Sequence, residues 1–190
     1  MKKTILFPLA LVLFVSCGFI PYCYDFSVLD VQRHCSAPES SSPVAAAREP
    51  DTTATRYRLS DSLVDIRLFI TTYQIEFTLR NKTGRTLRVD WEKAAYVNTR
   101  GARKRVIHKG IIFAQKEVFQ RPSLVGKGET LSEYLLPSEN VNVYLYGSGG
   151  WSMLPLFSNP DLGKTARAII PIEIDGVVHE YIVRFVIKSV

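Results

Sequence analysis

Histidine and cysteine are scarce here, three of each in 190 residues. His34, His108 and His179 stand in no HxH or HExxH context and without paired carboxylates, so the ligand spacing of zinc sites and metalloprotease helices is missing. Cys23, His34 and Cys35 lack the second close pair that a structural zinc site needs. Gly147-Ser148-Gly149-Gly150 has neither the G-x-S-x-G order of a nucleophile elbow nor a following Lys-Ser/Thr to hold phosphates. A sustained apolar stripe at 3.6-residue spacing is absent too, the nearest being the short Ala114–Phe119. These gaps leave no catalytic or metal-ligating set, and the chain is expected not to be an enzyme.

The longest apolar run is Ile5–Val15, eleven residues. A membrane-spanning helix needs ~20, whereas the apolar region of a secretory signal takes ~7–15. Lys2 and Lys3 precede the run and Pro21 follows it, which is the order of a cleaved signal rather than a span.

The run ends Phe14-Val15-Ser16-Cys17, and with the two lysines ahead of it this resembles the lipobox of bacterial lipoproteins. Ser16 fits the small position, while Phe14 stands where leucine is usual. The resemblance implies a signal over residues 1–16 and a mature N-terminus at Cys17, carrying a diacylglyceryl thioether and an acylated (palmitate-type) amino group. Those covalent groups are the only cofactors expected. One acyl chain holds a membrane reversibly and two or three hold it firmly, each buried CH₂ contributing ~0.8 kcal/mol. Gly18, in place of an aspartate, implies the outer membrane by the rule of enteric-type lipoproteins. The expected location is thus the bacterial cell envelope, facing the periplasm or the cell surface.

Net charge is +6 and falls to +4 once Lys2 and Lys3 are gone. That mild excess is weaker and less clustered than nucleic-acid binders show, and no nucleic-acid partner is expected. Aromatic content of 11% and 46% hydrophobic residues exclude a disordered chain. With Cys17 acylated, Cys23 and Cys35 remain for a possible local disulfide, which would contribute roughly 2–3 kcal/mol by chain entropy.

Residues 36–55, SAPESSSPVAAAREPDTTAT, carry one large apolar side chain, Val44. Residues 17–55 are therefore expected to be a lipidated N-terminus and flexible tether, with the folded domain at 56–190. There the pattern becomes strictly alternating: Tyr73, Ile75, Phe77 and Leu79 interleave with polar residues. Asn81-Lys82-Thr83-Gly84 reads as a hairpin turn into Leu87, Val89 and Trp91, and Asp175-Gly176 as another between 166–174 and 178–187. Further strands are expected at 63–69, 94–98, 105–113, 130–135 and 141–146. Eight or nine short strands imply an all-β fold, an antiparallel immunoglobulin-like sandwich or a small barrel. Pro171 marks an edge or a bulge, because proline cannot donate to a ladder.

The string NKTGRTLRVDWEKAAYVNTRGARKRVIHKG, with GWSMLPLF and the closing hairpin, resembles a group of uncharacterised bacterial envelope lipoproteins across most of residues 60–190. That resemblance implies location and fold, and brings no catalytic residue.

Two surface segments carry the functional expectation. Arg100, Arg103, Lys104, Arg105, His108 and Lys109 crowd basic or titratable groups around one turn, suited to anionic headgroups or an acidic partner; a solvated, screened turn is the alternative. The long connection 147–163 holds Trp151, Met153, Leu154, Leu156 and Phe157, which either cap the sandwich or form a partner-binding lip anchored by Trp151. The expected function is a lipid-anchored, non-enzymatic binding or structural module, held on the membrane by its anchor and contacting another envelope protein or anionic headgroups. The alternative is an envelope hydrolase or ligand-processing enzyme on a β-scaffold.

Overall fold

The computed structural model describes residues 24–50, 56–112, 115–144 and 150–189. Strands β1 (Tyr24–Ser36), β2 (Glu39–Pro43) and β3 (Ala46–Arg48) are followed by β4 (Arg56–Ser60), β5 (Val64–Ile70), β6 (Ile75–Asn81), β7 (Leu87–Val89) and β8 (Ala95–Val97). Then come β9 (Arg103–Ile107), β10 (Ser123–Val125), β11 (Thr130–Pro137), β12 (Val141–Tyr144), β13 (Gly150–Met153), β14 (Thr165–Ile174) and β15 (Val177–Ser189). Among the described residues the only helical pieces are short 3-10 turns, such as Ser138–Asn140 and Asn159–Asp161. The all-β, antiparallel expectation holds.

Thirteen strands form one sheet, ordered β2-β1-β15-β14-β8-β9-β11-β6-β5-β4-β3, with β7 pairing both β14 and β10. The sheet curls into a half-barrel, so the two layers of the expected sandwich are halves of one sheet. A front layer (β2-β1-β15-β14-β8-β9) meets a back layer (β11-β6-β5-β4-β3) at the corner where Ile107 pairs Leu136 and Val106 pairs Pro137. The two outermost strands, β2 and β3, are consecutive in the chain. The link between them crosses from front to back at Val44, whose N–H donates to Val31 O at 2.9 Å.

Alternation explains the core. In β5 Val64, Ile66, Leu68 and Ile70 are buried, and in β6 Ile75, Phe77 and Leu79. Phe157 fills the space between layers, its ring centroid 5.2 Å from Phe26, 6.0 Å from Phe185 and 6.3 Å from Tyr96. Asp175-Gly176 is the expected hairpin turn: Ile174 pairs Val177, and both turn residues have the positive φ (50° and 81°) that a tight type I′ turn requires.

Four expectations are corrected. Residues 24–48 are strands, not tether, and residues 17–23 and 51–55 lie outside the described residues. β1 pairs β15 from Tyr24↔Ser189 to Cys35↔His179 and buries Phe26 and Val31 in the core, so the folded domain begins by Tyr24 rather than at 56. Second, β1 holds Tyr24 and Cys35 roughly 36 Å apart at ~3.3 Å per residue. A disulfide needs Cα atoms within ~7 Å, so the strand is incompatible with a Cys23–Cys35 bond. Cys35 is a free thiol directed at Ala37 O, 3.6 Å away, and Cys23 lies outside the described residues.

Third, Asn81–Gly84 is not a hairpin. β6 pairs β5 and β11, while β7 pairs β10 and β14, so the turn carries the chain from the back layer to the front. The fully buried Asn81 makes this corner: its Nδ2 donates to the carbonyls of Arg85 (2.7 Å), Val125 (2.9 Å) and Gly126 (3.0 Å), and its Oδ1 accepts from Thr83 N and Oγ1, each at 2.8 Å. Fourth, Pro171 lies on an interior strand. It occupies the interval where β14 has left β7 (Ile172↔Val89) and not yet met β8 (Ile169↔Ala95), so no ladder asks for its missing N–H.

Candidate functional site

The outer face of the back layer carries two cross-strand rows. Register places Arg56 opposite Phe69, Phe69 opposite Glu76, and Glu76 opposite Tyr134. The adjoining row is Arg58, Arg67, Thr78 and Ser132. These residues point outward because their neighbours Leu68, Phe77 and Leu135 point into the core.

All of them except Arg58, which pairs Asp65, line a groove of about 510 Å³, walled by Glu49 on the β3 side and by Tyr134 on the β11 side. Its charges are partnered rather than convergent. The Arg56 guanidinium sits 5.5 Å over the Phe69 ring, Arg67 pairs Glu49 at 3.3 Å, and Gln74 Nε2 donates to Glu76 at 2.8 Å. Burial, with the nearby Glu133 carboxylate, raises the Tyr134 phenol above its ordinary range, so it stays protonated. Nothing here aims an acid and a base at one atom.

Tyr134 connects this groove to the hairpin of β12 and β13. Ile107, Leu136 and Val141 form a small apolar cluster on the outside of the β9–β11 corner, against which Tyr134, Val143 and Met153 pack. Trp151 is opposite Val143 in the register and 53% exposed. The connection 147–163 therefore divides: Phe157 and Leu156 serve the main core, Met153 the small cluster, and Trp151 and Leu154 face solvent.

The basic cluster is largely spoken for. Arg103 donates to Lys93 O at 2.6 Å and Lys104 pairs Glu139 at 2.7 Å. Arg105 grips the Glu92 carboxylate (2.7 Å) and the carbonyls of Glu117 (2.8 Å) and Val118 (2.6 Å), fastening the segment before β10. The structure thus gives Arg103, Lys104 and Arg105 partners within the chain. His108 lies inside, beside Trp91.

A second groove of about 630 Å³, at the β2–β1–β15 edge, contains His34, Cys35, Ser41 and Glu180. Register aligns Ser41, His34 and Glu180 across three strands, an order that invites comparison with a hydrolase. Ser41 Oγ lies 3.5 Å from His34 Nε2 but donates to Gln32 Oε1 at 3.0 Å. A nucleophile needs its base at about 2.6–3.2 Å and an oriented third group. Among the described residues Glu180 makes no ion pair with His34, and both Ser41 and His34 are exposed. The row is an exposed polar ladder.

The third histidine borders a structural network. Tyr181 Oη donates to Asp61 Oδ2 at 2.7 Å, Arg33 pairs the same oxygen at 2.7 Å, and Asp61 Oδ1 accepts from Leu63 N and Val64 N. Burial raises the Asp61 carboxyl, but the Val64 amide, the Tyr181 hydroxyl, the Leu63 amide and Arg33 together hold it below the usual range. Burial and Arg33 keep His179 below its ordinary value, so the imidazole is neutral. No group of three or more His, Cys, Asp or Glu able to hold a metal occurs among the described residues.

Neither row of the groove was foreseen in the sequence. Each depends on register between strands far apart in the chain; the available signal was the set of outward positions, Phe69, Glu76 and Thr78, once the alternation was recognised. No protein family, curated protein or solved structure matches this chain. The site therefore stands on its own geometry.

Proposed function

We propose that this is a lipid-anchored envelope protein whose β-domain is a non-enzymatic binding module, with the groove across β4, β5, β6 and β11 as its contact surface for another envelope protein. The observation that carries the reading is the row Arg56–Phe69–Glu76–Tyr134. It alternates ring and charge over four paired strands, and its ionic groups are satisfied by neighbours instead of converging on a reacting atom. Aromatic and arginine side chains are the residue types that dominate protein contact energetics. The anchor rests on the order Lys2-Lys3, Ile5–Val15, Ser16-Cys17.

A photo-crosslinking residue at Phe69 is expected to capture one discrete envelope protein in intact cells, and Arg67→Glu to abolish that product. The same crosslinker at the exposed Arg167, on the front layer, serves as the control. Equal capture from Arg167, or none from Phe69, contradicts the groove. Hydrolysis by the Ser41–His34 pair is tested by Ser41→Ala, which this reading expects to change no envelope phenotype.

A further inference from the structure

The anchor reading, combined with the start of β1, favours one end of the domain as the one that meets the membrane. Six residues, 18–23, separate Cys17 from Tyr24. Fully extended, they let Tyr24 rise at most about 25 Å from the lipid. β1 is roughly 36 Å long to Cys35 at ~3.3 Å per residue, and at the ~35–45° tilt of barrel strands it rises about 25–29 Å along the barrel. Placing the far end on the membrane would lift Tyr24 to or past the full stretch of its own anchor, whereas the near end needs no stretch. The tether therefore favours the near end.

The near end is defined by contacts. Tyr24 pairs Ser189 and its hydroxyl donates to Asn159 Oδ1 at 3.1 Å; Gly163 N donates to Ile187 O at 2.8 Å; Thr99 Oγ1 donates to Asp161 Oδ1 at 2.6 Å. This end exposes Arg100, Lys164 and Lys188 together with Leu162, 38% exposed, and Tyr73, 44% exposed. Two carboxylates share this end: Asp161, which accepts from Thr99 and Ser158 and lies within electrostatic reach of Lys164, and Asp25, opposite Lys188 in the register. The far end is traced by Arg33–Asp61, by Lys82 donating to Asp61 O, and by Gly128 N donating to Asn81 O at 3.1 Å. It is basic as well, at Lys82 and Lys127, so charge alone does not choose between the ends. The tether length favours the near one.

We infer that the end formed by residues 98–102 and 159–164 with the β15 terminus rests on the phospholipid surface, with Arg100, Lys164 and Lys188 against anionic headgroups and Leu162 and Tyr73 at the interface. Cations beside exposed apolar and aromatic side chains suit that boundary. The inference rests on lipid at Cys17. It also moves the headgroup contact away from Arg103, Lys104 and Arg105, whose partners lie within the domain.

The test uses the full lipidated protein in 3:1 phosphatidylethanolamine–phosphatidylglycerol vesicles. In a Cys23→Ser/Cys35→Ser background, a fluorophore is placed through Ser189→Cys at the near end or Lys127→Cys at the far end, with an energy acceptor on the headgroups. Transfer from position 189 should exceed that from 127 several-fold. Arg100→Glu/Lys164→Glu/Lys188→Glu should cut the transfer at 189 by half or more while the protein stays on the vesicles. Equal transfer from both ends, or no response to charge reversal, overturns the inference when mass analysis of the same sample finds lipid on Cys17. An unlipidated Cys17 overturns the anchor and this inference with it.

Discussion

The Trp91 indole lies flat against the His108 imidazole, ring centroids 4.2 Å apart and planes 8° from parallel. Trp91 is fully buried, its Nε1 donates to Ser123 Oγ at 3.0 Å, and Phe77 packs 6.3 Å from it. Glu133, pointing inward opposite Phe77, brings its carboxylate within 3.5 Å of His108 Nδ1 while accepting from Lys109 N at 2.8 Å. A histidine that counted among possible chemical groups in the sequence is therefore a plate in the core. It braces β9 and β11 near the groove.

The stack predicts unequal outcomes for its two members. Trp91→Ala should cost about 3–5 kcal/mol, the range for deleting a large buried aromatic. His108→Phe should stay within about 1–2 kcal/mol of wild type, because it keeps the ring stack, breaks no hydrogen bond of the imidazole and gives up only the 3.5 Å approach of Nδ1 to Glu133. Urea midpoints of both variants check this; a severe loss in His108→Phe would assign the ring a polar role.

Asn81 predicts a corner that no isosteric charge can replace. Asn81→Asp would face three carbonyls with a carboxylate, and Asn81→Ala would leave the carbonyls of Arg85, Val125 and Gly126 without this donor. Each should lower stability by about 2–3 kcal/mol, with Asn81→Asp the worse of the two at neutral pH. Thermal melts at pH 7 measure both, and a melting point equal to wild type in either would count against the corner.

β1 predicts where the domain can be cut. A chain beginning at Tyr24 should give a β-type circular dichroism spectrum and a cooperative melt. One beginning at Arg56 loses the whole β1–β15 ladder and the Phe26 ring, and should show no cooperative transition. Phe26→Ala in the full chain should cost about 3–5 kcal/mol. A cooperative melt from the chain beginning at 56 would mean that β1 merely decorates the sheet.

The Asp61 network predicts acid sensitivity. Asp61 titrates below its ordinary 3.8 in the fold, so its contribution is complete above that value and lost as pH falls through the lowered one. His179 also titrates below its ordinary 6.5; stability is full above 6.5 and declines as pH falls, since the unfolded chain takes the proton first. Melting temperature should drop in two stages on acidification. His179→Gln should remove the upper stage, and Asp61→Asn should weaken the lower while lowering stability at pH 7. A flat profile from pH 7 to 3 would contradict the network.

Most of the half-barrel was legible because its strands alternate strictly, as in Ile75-Glu76-Phe77-Thr78-Leu79, and because Asp175-Gly176 carries the φ signature of its turn. β1 was not legible for a specific reason. A bulge between Val28 and Asp30 shifts the register, so buried Phe26 and Val31 fall out of phase and Leu29 is left 50% exposed. β2, ESSSP, has no large apolar side chain, and the ladder offered by β1 makes it a strand. Asn81–Gly84 misled because turn chemistry is the same in a hairpin and in a crossover. Which strands pair is settled by the layer that receives Leu87, and that information is not local. The groove row was hidden likewise, since Arg56 and Tyr134 become neighbours only through two intervening strands.

The central claim is the lipid on Cys17, from which location, orientation and the kind of partner all follow. Intact-mass and N-terminal peptide analysis of the protein extracted from its own membranes tests it most directly. The account predicts a mature chain beginning at Cys17 with a diacylglyceryl thioether and an acylated amino group. A chain still beginning at Met1, or one carrying Cys17 unmodified, would contradict it.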